Sequence, residues 1–245
     1  MNIGVWLSYD GTRYDGWQKQ GNTDRTIQGK LEAVLEKLEG STVEVHGSGR
    51  TDAGVHAEGQ VANFHLAKSM DPDGIMRYMN RYLPEDIAVT RACVMQERFH
   101  SRLNAKSKRY IYRVAIGDVP SVFDRHYTWY CFDRLDMGLM KEGAALMTGQ
   151  HDFKGISSVK KTNKSTVRTV SQIDIDVKER EIDLIFEGNG FLYNMVRIMA
   201  GTLVEIGTGD REPETVKEVF RTKNREKAGM TLPPQGLFLD EVFYE

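Results

Sequence analysis

Two cysteines, Cys93 and Cys131, are all that 245 residues contain, and they stand apart with no Cys-x-x-Cys pair. That scarcity gives no basis for a disulfide framework or a thiolate zinc site. No apolar run approaches the length needed to span a bilayer, and the opening residues have neither the basic start nor the apolar core of a signal peptide. Together with eleven methionines, this fits a reducing cytoplasm, and no membrane partner is expected. Nucleotide signatures are missing too. There is no Gly-x-x-x-x-Gly-Lys-Ser/Thr loop, and Gly47-Ser48-Gly49, Gly188-Asn189-Gly190 and Gly207-Thr208-Gly209 lack the rest of a dinucleotide fingerprint. No His-x-x-x-His pair exists, and Gly54 lies between Asp52 and His56, against a helical ligand pair. A reaction without metal or cofactor is the simpler expectation. The 40% hydrophobic and 28% charged composition is that of an ordinary globular protein.

A net charge of −2 argues against a nucleic-acid partner only when averaged. From Arg98 to Arg113 there are six cations (Arg98, Arg102, Lys106, Lys108, Arg109, Arg113) and no acid, interleaved with Phe99, Tyr110 and Tyr112. From Lys154 to Arg168 come five more (Lys154, Lys160, Lys161, Lys164, Arg168), again without an acid. Such stretches attract phosphate, and aromatics among them can stack on bases. For the second stretch a merely solvated lysine loop is an equal reading.

Periodicity predicts strands at 3–9, 42–48, 58–66, 87–95, 107–116, 170–177, 181–187 and 237–244. Helices are predicted at 26–38, from Asp71-Pro72 to Pro84, at 136–147, 191–206 and 213–222. The expected fold is α+β. Two subdomains, 1–116 and 117–245, would each carry a mainly antiparallel sheet with helices on one face, and an active-site cleft would lie between them.

Two features carry chemistry. Gly49-Arg50-Thr51-Asp52-Ala53-Gly54-Val55-His56 puts a carboxylate between glycines that let the backbone turn and a ligand come close. Asp52 is therefore the first catalytic candidate, although a short Asp-Gly turn is more often only a turn. The run 191–204 contains a single charge, Arg197, in a helix otherwise apolar nearly all round. A guanidinium there needs an anionic partner. Asp52 is the expected one, which would hold its carboxylate ionised, and a purely structural pair with another acid stays open.

The motifs together resemble one family. They are Tyr9-Asp10-Gly11-Thr12 with Gly16-Trp17-Gln18, Gly49 to Ala57 with Gly59-Gln60-Val61, and Phe99-His100-Ser101-Arg102 with Lys108-Arg109-Tyr110-Ile111-Tyr112. Gly149-Gln150-His151-Asp152-Phe153, Gly190 to Arg197, and Pro233-Pro234-Gln235-Gly236-Leu237 follow in order. In this series the chain resembles the tRNA pseudouridine synthase A family, whose members isomerise uridines of the anticodon arm (tRNA positions 38, 39 and 40). The resemblance implies that Asp52 is catalytic and that Arg50 fills the space of a flipped-out base. It implies that Tyr110 lies beneath the uracil, that Arg197 pairs with the catalytic carboxylate, and that Leu237 closes the pocket. Arg102, Lys106, Lys108, Arg109, Lys160, Lys161 and Lys164 would hold RNA. A homodimer with a basic cleft and no cofactor is further implied.

Two stretches depart from the family pattern. Ser101-Arg102-Leu103-Asn104 lacks the aromatic that often follows His-Ala-Arg, and Lys154-Gly155-Ile156 with the lysine-rich loop differs from better-known members. A non-catalytic RNA-binding module would also account for the cations, and a metal-dependent nuclease is a third reading. The binding module gives no reason for an Arg inside an apolar helix and a glycine-framed Asp, and the nuclease predicts loss of activity with a chelator and cleaved RNA.

Overall fold

The computed structural model describes residues 1–160 and 162–245, so Lys161, one of the expected RNA-binding cations, lies outside the described residues. The chain forms two compact units, Met1–Lys106 with Phe238–Glu245, and Ser107–Leu237. The expected boundary between 116 and 117 falls inside the second unit, which already begins at Ser107.

In the first unit β1 (Asn2–Tyr9) lies between β3 (His56–His65) and β4 (Ile87–Val94), antiparallel to both. The last strand, β10 (Leu237–Phe243), runs parallel to β3 with Phe238 opposite His56. Ile3, Val5, Leu7 and Tyr9 are buried along one face, and at the start of the strand Asn2 and Gly4 are buried on the other as well. Helix α1 (Ile27–Glu39) starts where the Thr26 side chain accepts the Gly29 N–H. It buries Ile27, Leu31 and Leu35 on one stripe. Helix α2 (Pro72–Tyr82) is capped by Asp71, has proline in its first turn, and packs on β4. The strand expected at 42–48 shrinks to β2 (His46–Gly47), antiparallel to β3. Side chains of α1 take over its backbone: Glu32 accepts the Val45 N–H at 3.2 Å and Gln28 donates to the Val45 carbonyl at 3.1 Å.

The second unit is a meander. β5 (Ser107–Ala115), β9 (Glu181–Gly188), β8 (Val167–Val177) and β7 (Gly149–Asp152) pair antiparallel in that order, and β6 (Trp129–Tyr130) adds in parallel to the end of β5. Helices α3 (Met137–Met147), α4 (Met195–Gly207) and α5 (Thr215–Thr222) complete it, with α3 packed on α4 and β8. Each unit is α+β with a mainly antiparallel sheet, as the periodicity predicted.

Candidate active site

In the first unit the loop that carries Asp52 is fixed at nearly every residue around it. Ser48 donates its N–H to the Val61 carbonyl at 2.7 Å and its hydroxyl to Gln60 Oε1 at 2.7 Å. Gln60 Nε2 returns to the Gly49 carbonyl at 2.9 Å. Thr51 is held twice: its Oγ1 meets the Tyr9 hydroxyl at 2.8 Å, and its carbonyl accepts the Trp17 N–H at 3.0 Å. Burial pushes the Tyr9 phenol up to about 12, so it stays neutral and serves as a hydrogen-bonding post. The Gly54 N–H donates to the Tyr14 carbonyl at 3.2 Å, and Val55 N–H closes the turn on the Asp52 carbonyl at 3.1 Å. Gly54 has φ +77°, a left-handed conformation that a side chain would strain. Within this frame Asp52 is half-buried while Arg50 and Ala53 on either side are exposed. A rigid backbone therefore presents one carboxylate at the rim of the unit, which is what a group acting on a large substrate requires.

In sequence His56 only closes the Gly49–His56 motif. It is 1% exposed, stacks on Phe238 at 4.7 Å, and its Nδ1 lies 3.1 Å from both the Gly11 N–H and the Asp10 carboxylate. Accepting the first needs a bare Nδ1, and donating to the second needs a protonated one, so the two are alternatives at one atom. Either way the imidazole ties the Asp10–Gly11 turn to the first residue of β3. The Asp-Gly and His signals were visible in sequence, but their partnership was not.

Tyr110, Arg197 and Leu237 all belong to the second unit. Tyr110 on β5 is buried, with Phe191 edge-on at 5.1 Å. Arg197 is half-buried, short of the full burial that an apolar helix implied. Its Nε donates to the Leu232 carbonyl at 2.6 Å and its Nη1 to Asn194 Oδ1 at 2.9 Å. Asn194 itself has φ +59°, which starts α4 at Met195 instead of 191, and its Nδ2 reaches Ser158 Oγ at 3.0 Å. The base of the lysine-rich loop is thus tied to the N-terminus of the Arg197 helix. Tyr112 donates to the Pro233 carbonyl at 2.8 Å, so Leu232 and Pro233 are held from α4 and β5 just before the buried Leu237. Burial drives the Tyr112 hydroxyl well above the usual phenol range, against a counter-pull from Arg197.

The expected RNA-binding cations divide. Arg102 and Lys106 are exposed in the first unit, and Lys160 and Lys164 are exposed in the second. Lys108 and Arg109 are half-buried neighbours on β5, where alternation sends them to opposite faces, Lys108 on the face of Tyr110. Among the described residues no group of three or more His, Cys, Asp or Glu is placed to hold a metal ion, and no helix is long and apolar enough to cross a membrane.

An α+β chain with a carboxylate on a braced loop, and exposed cations in both units, has the makings of an enzyme that acts on a polyanion. Comparison with known proteins narrows the class: a family model described as tRNA pseudouridine synthase matches residues 6–104 and 144–245. The tRNA pseudouridine synthase A of Bacillus sp. (strain KSM-64) is 44% identical over 243 residues, 99% of each chain. The tRNA pseudouridine synthase A 1 of Clostridium tetani is 43% identical over 243 residues, again 99% of each. That of Geobacillus sp. (strain WCH70) is 43% identical over 98% of this chain and 96% of its own. This chain belongs to the tRNA pseudouridine synthase family. Among solved structures, a chain titled Cbf5-Nop10-Gar1 complex aligns with 82% of this one and 45% of its own length, at 11% identity and a TM-score of 0.36, a likeness too slight to argue from.

Proposed function

We propose that this protein isomerises uridine to pseudouridine in the anticodon stem-loop of tRNA, at positions 38, 39 and 40, with Asp52 as the residue that acts on the nucleotide. The observation that carries the reading is Asp52 itself, half-buried between exposed Arg50 and Ala53 on a loop braced by Tyr9, Trp17 and Gln60. Family membership across nearly the whole chain supplies the substrate class.

A stacked base has to leave the helix before any side chain reaches its glycosidic bond, at a cost of a few kcal/mol. Arg50 takes the vacated space, and the uracil settles against Tyr110 with Leu237 closing over it. Arg197 is the cation that keeps Asp52 ionised, as a nucleophilic carboxylate must be. Asp52 promotes cleavage of the N1–C1′ bond, whose electron pair leaves with uracil N1. The ring then turns, C5 bonds to C1′, C5 gives up its proton and N1 takes one up. Nothing is gained or lost between substrate and product, so the balance needs no redox or group-carrying cofactor.

Arg102, Lys106, Lys108, Arg109, Lys160, Lys161 and Lys164 hold the phosphates. The protein works as a homodimer in the cytoplasm. The apolar side chains of Val119, Val122, Phe123 and Phe132, each more than 60% exposed, offer a surface for self-association to cover.

The test uses tRNA labelled with tritium at uridine C5. Isomerisation expels the label into water, whereas a non-catalytic RNA-binding module binds the same tRNA and releases none. Retention of all label by a preparation that binds the tRNA would refute the enzymatic reading.

A further inference from the structure

Residues 99–104 form a tight, heavily anchored turn in the first unit. Asn104 N–H donates to the His100 carbonyl at 3.0 Å, His100 N–H to Asn104 Oδ1 at 2.8 Å, and Arg102 N–H to His100 Nδ1 at 3.1 Å. Buried Ser101 fixes the turn from beneath. Its N–H reaches Asn63 Oδ1 at 2.9 Å, its hydroxyl the His46 carbonyl at 2.5 Å, and its carbonyl accepts from Tyr244 at 2.8 Å. His100 stacks on His46 at 4.9 Å and Phe99 meets Tyr244 at 5.2 Å. His46 and Asn63 belong to the paired strands β2 and β3, the pair from which the Asp52 loop emerges. On the tip of this support stands Leu103, 78% exposed, with Arg102, Asn104 and Lys106 exposed beside it.

One exposed aliphatic side chain is ordinary; this one stands on a backbone anchored on every side, between exposed Arg102 and Lys106, where a docked partner would meet it in a fixed position. The surrounding charge says which kind. Within the first unit the exposed cations Arg98, Arg102 and Lys106 lie within five residues of Leu103 along the chain with no acid among them, which suits a polyanion. A second copy meeting this turn across a two-fold axis would oppose the same cations to themselves. Nucleic-acid-binding proteins use this combination, with cations on flanking phosphates and an apolar side chain pressed against base edges or between base steps.

We propose that Leu103 is an RNA-positioning residue, packing its side chain against a nucleobase of the bound tRNA while Arg102 and Lys106 take neighbouring phosphates. This rests on the tRNA-modifying reading above and adds the contact that registers the stem-loop relative to the Asp52 loop. Three full-length variants, Leu103→Ser, Leu103→Phe and Arg102→Ala, test it by tRNA binding at several salt concentrations, with tritium release, melting temperature and sedimentation followed in parallel. Leu103→Ser should weaken tRNA binding about tenfold, toward the lower end of what one base contact contributes, with melting temperature, sedimentation and salt slope unchanged. Leu103→Phe should bind within about twofold of the unaltered chain, since a ring presents an equivalent apolar face. Arg102→Ala should instead shallow the salt slope by about one.

Unaltered affinity in Leu103→Ser overturns the proposal. So does a loss confined to self-association, which would make the turn a protein contact. The unaltered chain separates this inference from the reading beneath it. If it releases tritium and Leu103→Ser binds equally well, only the RNA contact falls, and if it binds no tRNA, both fall.

Discussion

A carboxylate that acts on a nucleotide has to be ionised, reachable and unable to drift, and these requirements fall on different residues. Replacement of Asp52 by Asn keeps shape and removes charge, so the variant should bind tRNA within a few-fold and form no pseudouridine; measurable turnover on purified tRNA refutes the assignment. Drift is prevented by neighbours. Gly16 has φ +97°, and a Cβ there would stand 2.7 Å from the Thr51 carbonyl oxygen, one residue before Asp52. Gly16→Ala should therefore cost about 1–3 kcal/mol, read from the denaturant midpoint, and slow isomerisation beyond its effect on tRNA affinity. An unchanged midpoint and rate would show that the loop is not held from this side. The candidate carboxylate was legible because its glycines and charge are adjacent in the chain. Its braces were not, because Tyr9 reaches Thr51 across 42 positions and Gln60 reaches Gly49 across 11. Arg197 was found as the lone charge in an apolar run. The carbonyl of Leu232 that receives its Nε belongs to a segment with no periodic signal.

Elements show the same division between local and distant causes. Helix α1 was readable from Thr26 to its end because the cap and the apolar stripe are local patterns. The run 42–45 alternates like a strand, yet Glu32 and Gln28 satisfy the Val45 backbone, and no neighbouring segment announces that. A comparable arrangement holds the turn at Phe153–Ile156, where Asp152 accepts the Lys154 N–H at 3.1 Å, the Thr166 hydroxyl at 2.5 Å and the Lys223 ammonium at 2.6 Å. Burial raises the Asp152 carboxyl pKa, but Lys223, Thr166 and the Lys154 N–H outweigh it and hold it below its ordinary value. With the folded value depressed, its contribution is complete above the ordinary carboxylate range and fades as pH falls through the folded value. Asp152→Asn should therefore lower stability by about 1 kcal/mol at neutral pH, modest because Lys223 is half exposed. The difference from the unaltered chain should disappear in strong acid. A gap that stays constant down to that range would assign the effect to packing instead of charge.

At the scale of the whole molecule, a net charge of −2 conceals two acid-free cationic stretches, and ordinary composition conceals an apolar surface. Between β5 and α3 the chain exposes Val119 by 64%, Val122 by 68%, Phe123 by 87% and Phe132 by 83%, in a segment pinned where β6 joins β5 and where Tyr130 packs edge-on against Phe132. The stretch also lies between the two family-model matches, 6–104 and 144–245. Two phenylalanines and two valines exposed to this degree present on the order of 500 Å² of apolar surface. A standard interface takes about 800 Å² from each partner, so these four side chains would furnish its larger part if the proposed homodimer uses them. A paired Phe123→Asp and Phe132→Asp substitution should then sediment as a monomer at concentrations where the unaltered chain is a dimer. Its melting temperature at low concentration should fall only slightly, because both rings are more than four-fifths exposed and Phe132 gives up only its edge-on contact with Tyr130. A doubly substituted chain that still sediments as a dimer would exclude this surface from the assembly, and an unaltered chain that is monomeric would exclude the homodimer itself.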